Sequence, residues 1–310
     1  MHNNGKPNPP RQVLDVVVIG EALTDVVTTP EGTNEHPGGS PANVAYGLAR
    51  LGVSTGLLTA VGADCRGTAI EEHLAGAGVT FLPGSHPQEK TSTATATIAE
   101  DGSANYAFDI TWDIEAPDLV HAPPKVLHTG SIASFLAPGA DKVKATLQAL
   151  RAECTITYDP NIRPALLGTH AEAVRTFEDL VHLTNVVKLS DEDAEWLYPQ
   201  RSAVEAASHI LKLGADLAVI TKGSLGSLLA TRSTTLSTAA AKTTVVDTIG
   251  AGDSYMSALI LGLLARGTDG YAPSVLEQLG RTAALAAAIT VGRRGANPPT
   301  NTELEEAHRP

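Results

Sequence analysis

The hydrophobic pattern changes period repeatedly along the chain. Leu14–Ile19 is a nearly continuous apolar, β-branched run closed by Gly20, which reads as a strand buried on both faces. Glu21–Val27 stays extended, with polar residues interleaved. From Pro41 to Leu51 the period becomes helical. Val44, Ala45, Leu48 and Leu51 share one face, Pro41 suits the first helical position, and Gly52 ends the run. The exchange then recurs. Strands are predicted at Thr55–Val61, Val79–Leu82, Lys125–Leu127, Thr155–Tyr158, Val186–Leu189 and Leu217–Ile220. Helices are predicted at Arg66–Ala77, Pro138–Arg151, Ala171–Val181, Glu192–Tyr198, Ala203–Leu213, Ala251–Ala265 and Pro273–Val291. Ser227–Ala230 and Thr235–Ala239 read as an antiparallel pair. Such alternation predicts an α/β fold with a doubly wound, mostly parallel sheet and helices on both faces.

One segment breaks the rhythm. Thr91–Ile98 alternates between Thr and Ala, Asp101-Gly102 is a strong hairpin turn, and Ala104–Ile110 follows. Together with Ala22–Thr28 it predicts a small accessory β-sheet. No internal repeat or linker is evident, so residues 13–310 read as one domain, with accessory strands inserted at about 22–28 and 91–110. Residues 1–12, with Asn3, Asn4, Pro7, Pro9 and Pro10, read as a disordered leader.

Composition changes this picture little. A chain of 310 residues is long enough to bury one large core. The formal net charge of −12 argues against nucleic acid or an anionic membrane as partner, but a nucleotide needs only a local positive field. The two cysteines, Cys65 and Cys154, belong to no metal-spaced cluster and are expected as buried thiols in a reducing compartment. No apolar run approaches ~18 residues and no secretory segment is present, which points to a soluble, cytoplasmic protein.

Several chemistries are excluded by missing motifs. There is no G-x-x-x-x-G-K-[ST] loop, no G-x-G-x-x-G opening the first helix, no H-E-x-x-H and no G-x-S-x-G, and the ten histidines do not cluster. What remains is Asp247-Thr248-Ile249-Gly250-Ala251-Gly252-Asp253, followed by an apolar run with helical spacing. A helix starting near Gly250 would aim free N–H groups and the positive end of its dipole at whatever lies in front of it, which is an anion site. Asp253 would sit in its first turn. An anion cradle beside a carboxylate suits phosphoryl transfer to a hydroxyl, although the same pattern also describes an ordinary helix start with a favourable acid. Asp25, shortly after a buried strand, would stand at that strand's carboxyl end, where open α/β sheets bind ligands.

The stretch Asp247–Asp253 resembles the C-terminal motif of the ribokinase-like (PfkB-type) carbohydrate kinases. Gly38-Gly39-Ser40-Pro41-Ala42-Asn43-Val44-Ala45 resembles their N-terminal motif, in the family's order, and the resemblance spans nearly the whole chain. It implies a ribokinase-like fold with the accessory sheet as a lid, and transfer of the γ-phosphoryl group of ATP to a primary hydroxyl of a small sugar. It implies that Asp253 is the base and that the Gly250, Ala251 and Gly252 amides form the anion hole. Asp25, Gly38, Gly39 and Asn43 are implied as sugar contacts, with Arg163 of Asp159-Pro160-Asn161-Ile162-Arg163 near sugar and phosphates. Thr221, Gly223 and Gly226 match the turn that receives the nucleotide. The family often carries Asn-x-x-Glu where this chain has Ser190-Asp191-Glu192-Asp193. Asp193 is then the residue implied for Mg²⁺, through water, and Lys188 just before it falls on the nucleotide side. A K⁺ site is implied at Asp247 and the carbonyls of Ile249, Thr290, Arg293 and Gly295; the hydroxyl found near the end of that loop in some relatives aligns near Pro299 here. The lid sheet is a dimer interface in many members, which implies a homodimer through it. Gly20-Glu21-Ala22-Leu23-Thr24-Asp25 with the Gly-Gly-Ser-Pro motif is most similar to bacterial fructokinases. A 2-keto-3-deoxygluconate kinase, a ribokinase-type kinase of another sugar or nucleoside, and a non-catalytic sugar-binding regulator on the same fold stay open.

Overall fold

The computed structural model describes residues 14–86, 88–98, 104–266 and 270–309. In chain order its elements are β1 (Val16–Ile19), β2 (Leu23–Thr29), β3 (Gly32–Gly38), α1 (Ser40–Arg50), β4 (Thr55–Leu58), α2 (Cys65–Gly76), β5 (Thr80–Phe81), β6 (Thr93–Ile98), β7 (Ala104–Asp109) and β8 (Val126–Gly130). They continue as α3 (Gly139–Leu150), β9 (Thr155–Asp159), α4 (His170–Val181), β10 (Val186–Ser190), α5 (Asp191–Leu197), α6 (Ala203–Leu213), β11 (Leu217–Thr221), β12 (Ser227–Ala230), β13 (Thr235–Thr238), α7 (Ala251–Arg266), α8 (Pro273–Val291) and α9 (Asn301–Ala307).

The main sheet has the order β13-β12-β11-β10-β9-β8-β1-β4-β5. Its pairs from β5 through β11 are parallel, and β12 and β13 add antiparallel at one edge, Ser227 opposite Thr238 and Ala230 opposite Thr235. β1 explains the layering. Val17 and Ile19 point into one core cluster with Val143, Leu147 and Phe177, while Val16 and Val18 point into the other with Val44, Leu48, Met256 and Leu259. A strand with both faces buried has no reason to alternate in polarity, and this one does not. α7 packs between α1 and α8, so Asp253 through Ile260 are all buried, whichever way they face.

The accessory sheet has the order β3-β2-β6-β7. β2 and β6 run parallel, and the outer pairs are antiparallel. β3 was not expected. Its sequence, Gly-Thr-Asn-Glu-His-Pro-Gly, is almost wholly exposed, so backbone pairing at a sheet edge defines it and hydrophobic alternation does not. Two expectations fall outside the described residues: the leader at 1–12, and the turn at Asp101-Gly102. The cysteines are not both buried as expected; Cys65 is exposed at the first position of α2, and Cys154 is half-buried. Among the described residues no helix is long and apolar enough to cross a membrane.

After β1 the chain winds to β4 and β5 on one side, then crosses to β8 on the other. The order therefore reverses beside β1. In open α/β sheets the crevice at the strands' carboxyl ends opens at such a switch point.

Candidate active site

A cleft of about 990 Å³ lies at that point. Residues following β1, β8, β9, β10 and β11 line its floor: Glu21, Ser131, Asn161, Asp191 and Lys222. The accessory sheet contributes Leu23, Asp25, Ala94 and Phe108 to one wall.

At the centre is the start of α7. Asp253 is 8% exposed. Ser40 Oγ donates to its Oδ1 over 2.7 Å, and Asn43 Nδ2 donates to its Oδ2 over 2.9 Å. The first turn of α1 thus holds the carboxylate in the first turn of α7. Gly250 has φ +74, and a Cβ there would lie 2.7 Å from that of Ala296, so only glycine makes this entry into the helix without strain. The Gly250, Gly252 and Asp253 N–H groups have no acceptor among the described residues. The expected set differs at one position: Ala251 N–H donates to Thr248 carbonyl over 3.3 Å and lies off the cleft wall, because the turn entering the helix closes on it.

Lys188 stands directly before this turn. A Cβ on Gly252 would come within 3.1 Å of Lys188 Nζ. The ammonium is buried and paired with Asp159 Oδ2 at 2.7 Å. Burial works against its charge, but Asp159 and then Asp253 and Asp193 outweigh that and raise its pKa. Burial pushes the Asp159 carboxyl up to about 6 against the pull of Lys188. Among the described residues Asp159 Oδ1 has no hydrogen-bond partner. A fixed cation therefore faces the same space as the free amides, which fits an anion and not a neutral ligand at this spot.

The expected sugar-side residues gather at the other end. Asp25 lines the cleft, and burial pushes its carboxyl up to about 6; Arg163 pulls it down and Asp253 pushes it up. Gly38 does not line the cleft. Its role is room: a Cβ there would collide with the Asp25 carboxylate. Gly39 does line it, with φ +101 at the N-terminus of α1, and a Cβ there would meet the Glu21 carbonyl at 2.6 Å. Arg163 also lines it, its Nη1 donating to the Ile162 carbonyl over 3.0 Å.

Thr221 and Gly223 line the far end, Gly223 with φ +50. Gly226 is behind the surface, turning the chain into β12 with its Cα pressed against the Thr238–Ala240 backbone. Asp193 lines the cleft, but its oxygens are engaged. Ser190 N–H donates to Oδ2 over 3.2 Å and Ile162 N–H to Oδ1 over 2.9 Å, while Ser190 Oγ caps the helix in return. The Ser190–Asp193 departure from Asn-x-x-Glu is a capping box that also pins the loop carrying Arg163. Its neighbours Asp191 and Glu192 are exposed carboxylates on the same wall.

Asp247 lies outside the cleft and clasps two turns, accepting from Ile249 N–H at 3.0 Å and Gly295 N–H at 2.8 Å. These amides hold its carboxyl below its ordinary value. The Thr290 and Gly295 carbonyls already accept from Arg293 and Asn297 N–H, whereas those of Ile249 and Arg293 accept nothing among the described residues. Arg293 itself pairs with Glu303. Groups of three or more acidic, His or Cys ligands are absent among the described residues, so a cation here would be held mainly by carbonyls.

Sequence reasoning missed Ser40, Asp159 and Glu21 as site residues. Ser40 and Asp159 lie inside quoted motifs, but their partners are distant in sequence.

Comparison with known proteins agrees with this geometry. Residues 13–303 match the description "pfkB family carbohydrate kinase". A fructokinase of Salmonella typhimurium is 32% identical over 264 residues, covering 81% of this chain and 85% of its own. A sugar kinase of Pyrococcus horikoshii, solved in complex with ATP, superposes with TM-score 0.79 at 29% identity over 94% of this chain and 99% of its own. A fructokinase of Vibrio cholerae O395, solved with fructose, ADP and calcium, has the same fold, with TM-score 0.82 at 24% identity over 96% and 99% of the two chains. A switch-point cleft, an acid of the C-terminal motif held by two side chains of the N-terminal one, and a match over almost the full length converge on one assignment: the chain belongs to the pfkB family and is a carbohydrate kinase.

Proposed function

We propose that this kinase transfers the γ-phosphoryl group of ATP to a primary hydroxyl of a small neutral sugar, with fructose the best-supported acceptor. The observation that carries the reading is Asp253. It is buried at a helix N-terminus beside three free amides, and both its oxygens are fixed from α1. The sugar hydroxyl is a far weaker acid than a carboxylic acid, so Asp253 orients it and accepts its proton late in the transfer. The Gly250, Gly252 and Asp253 N–H groups and the Lys188 ammonium stabilise charge on the moving phosphoryl group. ATP then lies toward Thr221 and Gly223. Bound Mg²⁺ would neutralise charge on the phosphates, and Asp191, Glu192 and Asp193 offer carboxylates to its hydration shell. A K⁺ ion at Asp247 and the neighbouring carbonyls would steady the turn that presents the amides.

Two things support a neutral sugar. Glu21, Asp25 and Asp253 line the acceptor end against Arg163, while Lys188 beside Asp253 is already paired with Asp159. A carboxylate or second phosphate on the substrate would meet more like charge than opposite charge there. The Salmonella and Vibrio relatives are fructokinases, which favours fructose. Assay of fructose, ribose, 2-keto-3-deoxygluconate and nucleosides with ATP and Mg²⁺ tests the substrate. Fructose is expected to give the highest kcat/KM; turnover more than tenfold below any other acceptor would overturn it. Asp253→Asn tests the mechanism. It should lower kcat by ~10²–10⁴-fold while sugar binding, read by calorimetry, persists. A variant as active as wild type in ADP release would remove Asp253 from the reaction.

A further inference from the structure

Ser131 and Asn161 have φ +54 and +39, the only positive values outside glycine among the described residues. Both line the cleft, just past the carboxyl ends of the adjacent strands β8 and β9. Left-handed backbone at a non-glycine residue persists only where the surroundings over-determine it, and it gathers at functional sites. Asparagine tolerates the conformation, but serine has less reason to adopt it.

The surroundings of Ser131 supply the reason. Glu21 follows β1 after Gly20, and the residue is only 3% exposed. Ala133 N–H donates to Glu21 Oε2 over 3.0 Å. The Ser131 hydroxyl and the Ile132 amide also face this carboxylate and pull its pKa down against burial. It therefore faces three successive residues of one tight turn and is bonded to the third. The turn is gripped from two further sides: Trp112 Nε1 donates to the Ala133 carbonyl over 3.1 Å, and Tyr158 hydroxyl to Ser134 Oγ over 3.2 Å. Burial pushes the Glu21 carboxyl up to about 7 despite these donors, so the position is costly to keep acidic. Ser131 and Ile132 nevertheless present the turn to the cleft on the Asp25 side, away from Thr221 and Gly223.

We propose that Glu21 is a positioning residue for the acceptor sugar, holding the Ser131–Ser134 turn in its left-handed start so that this turn forms the wall orienting the sugar toward Asp253. The proposal rests on the sugar-kinase reading and adds a residue to it. Steady-state kinetics on the best acceptor of the panel test it. Glu21→Ala should raise KM for the sugar tenfold or more, leave KM for ATP within twofold, and lower kcat by less than fivefold. Glu21→Gln keeps an oxygen for the Ala133 amide and should restore the sugar KM to within threefold of wild type. Ser131→Ala, which removes the hydroxyl facing the Glu21 carboxylate without touching Glu21, should raise the sugar KM at least threefold, and it carries the test if Glu21→Ala does not fold. A sugar KM within twofold of wild type in the alanine variants would overturn the proposal. So would equal shifts of sugar and ATP KM in Glu21→Ala, or no rescue by Glu21→Gln. If wild type phosphorylated no sugar, the kinase reading itself would fall, and this proposal with it.

Discussion

The buried ionisable residues of this molecule sort by whether they have a partner. Lys188 and Asp159 have each other. His128, buried under the cleft floor, is pushed down to about 3 by burial and then by Lys188, and stays neutral on the Thr157 hydroxyl. Glu21 has donors but no cation, and that makes its protonation a folding event. In the unfolded chain it would titrate near 4.5, and in the folded protein near 7. Between those values the folded state binds more protons than the unfolded one, so stability falls as pH rises. The contribution is fully present below about pH 4.5 and gone above about pH 7, and it is on the order of 3 kcal/mol. Asp25, raised to about 6 from 3.8, tilts the curve the same way over a lower range. Glu21→Gln removes the titration and keeps an acceptor. Urea unfolding of wild type across this window should show a steeper loss of stability with rising pH than the variant does. Parallel curves would mean that Glu21 ionises in the fold as it does in water.

At the scale of elements, what fixes the accessory sheet to the body is a set of polar ties, and the strongest is Asp64. It caps α2 through Gly67 N–H at 2.8 Å, and it accepts from Thr91 N–H at 2.8 Å and from the Thr91 hydroxyl at 2.6 Å, just before β6 begins. Burial opposes its charge, but the Thr91 donors and the capping amides hold its carboxyl down at about 2. Asp64→Ala should cost about 2 kcal/mol at neutral pH, a lost N-cap plus the Thr91 ties, read by urea unfolding. Its carboxylate helps only while ionised, so the difference between wild type and variant should shrink as pH falls from 3.8 toward 2. Neither Asp64 nor Thr91 announced this tie. What was legible was what local chemistry dictates: α6 and α8 begin and end at the residues that periodicity and capping predict. α9 carried a readable signal as well, Thr300 with Glu303 in a capping box, but its seven residues are too short for periodicity to show. β3 carried none, because an exposed edge strand is specified by its neighbour's backbone. The site divides in the same way. The start of α7 at Gly250–Asp253, with its open amides, was readable because a helix start is local. Ala251 was misjudged because its amide closes on Thr248, and Glu21 was overlooked because its partners follow a different strand.

For the molecule as a whole, the defining contact joins its two ends. α1 and α7 touch closely enough that a Cβ on Gly47 would lie 2.5 Å from Ser257 Oγ, and Ser257 donates to the Val44 carbonyl over 3.1 Å. That approach brings Ser40 and Asn43 onto opposite oxygens of Asp253, across 213 and 210 residues of chain. A carboxylate gripped at both oxygens has one orientation; gripped at one, it can rotate about the remaining bond. Hydrogen bonds to a charged group contribute ~1.5–3 kcal/mol each, so Ser40→Ala and Asn43→Ala should each lower kcat by ~10–100-fold. KM for ATP should hold steady, since both side chains are spent on the Asp253 oxygens. If both bonds serve one orientation, the second loss removes little that the first has not already removed, and the double variant should fall well short of the product of the singles. Losses that multiply would mean that the two contacts act separately on sugar and acid, and that the grip on Asp253 does not govern the rate.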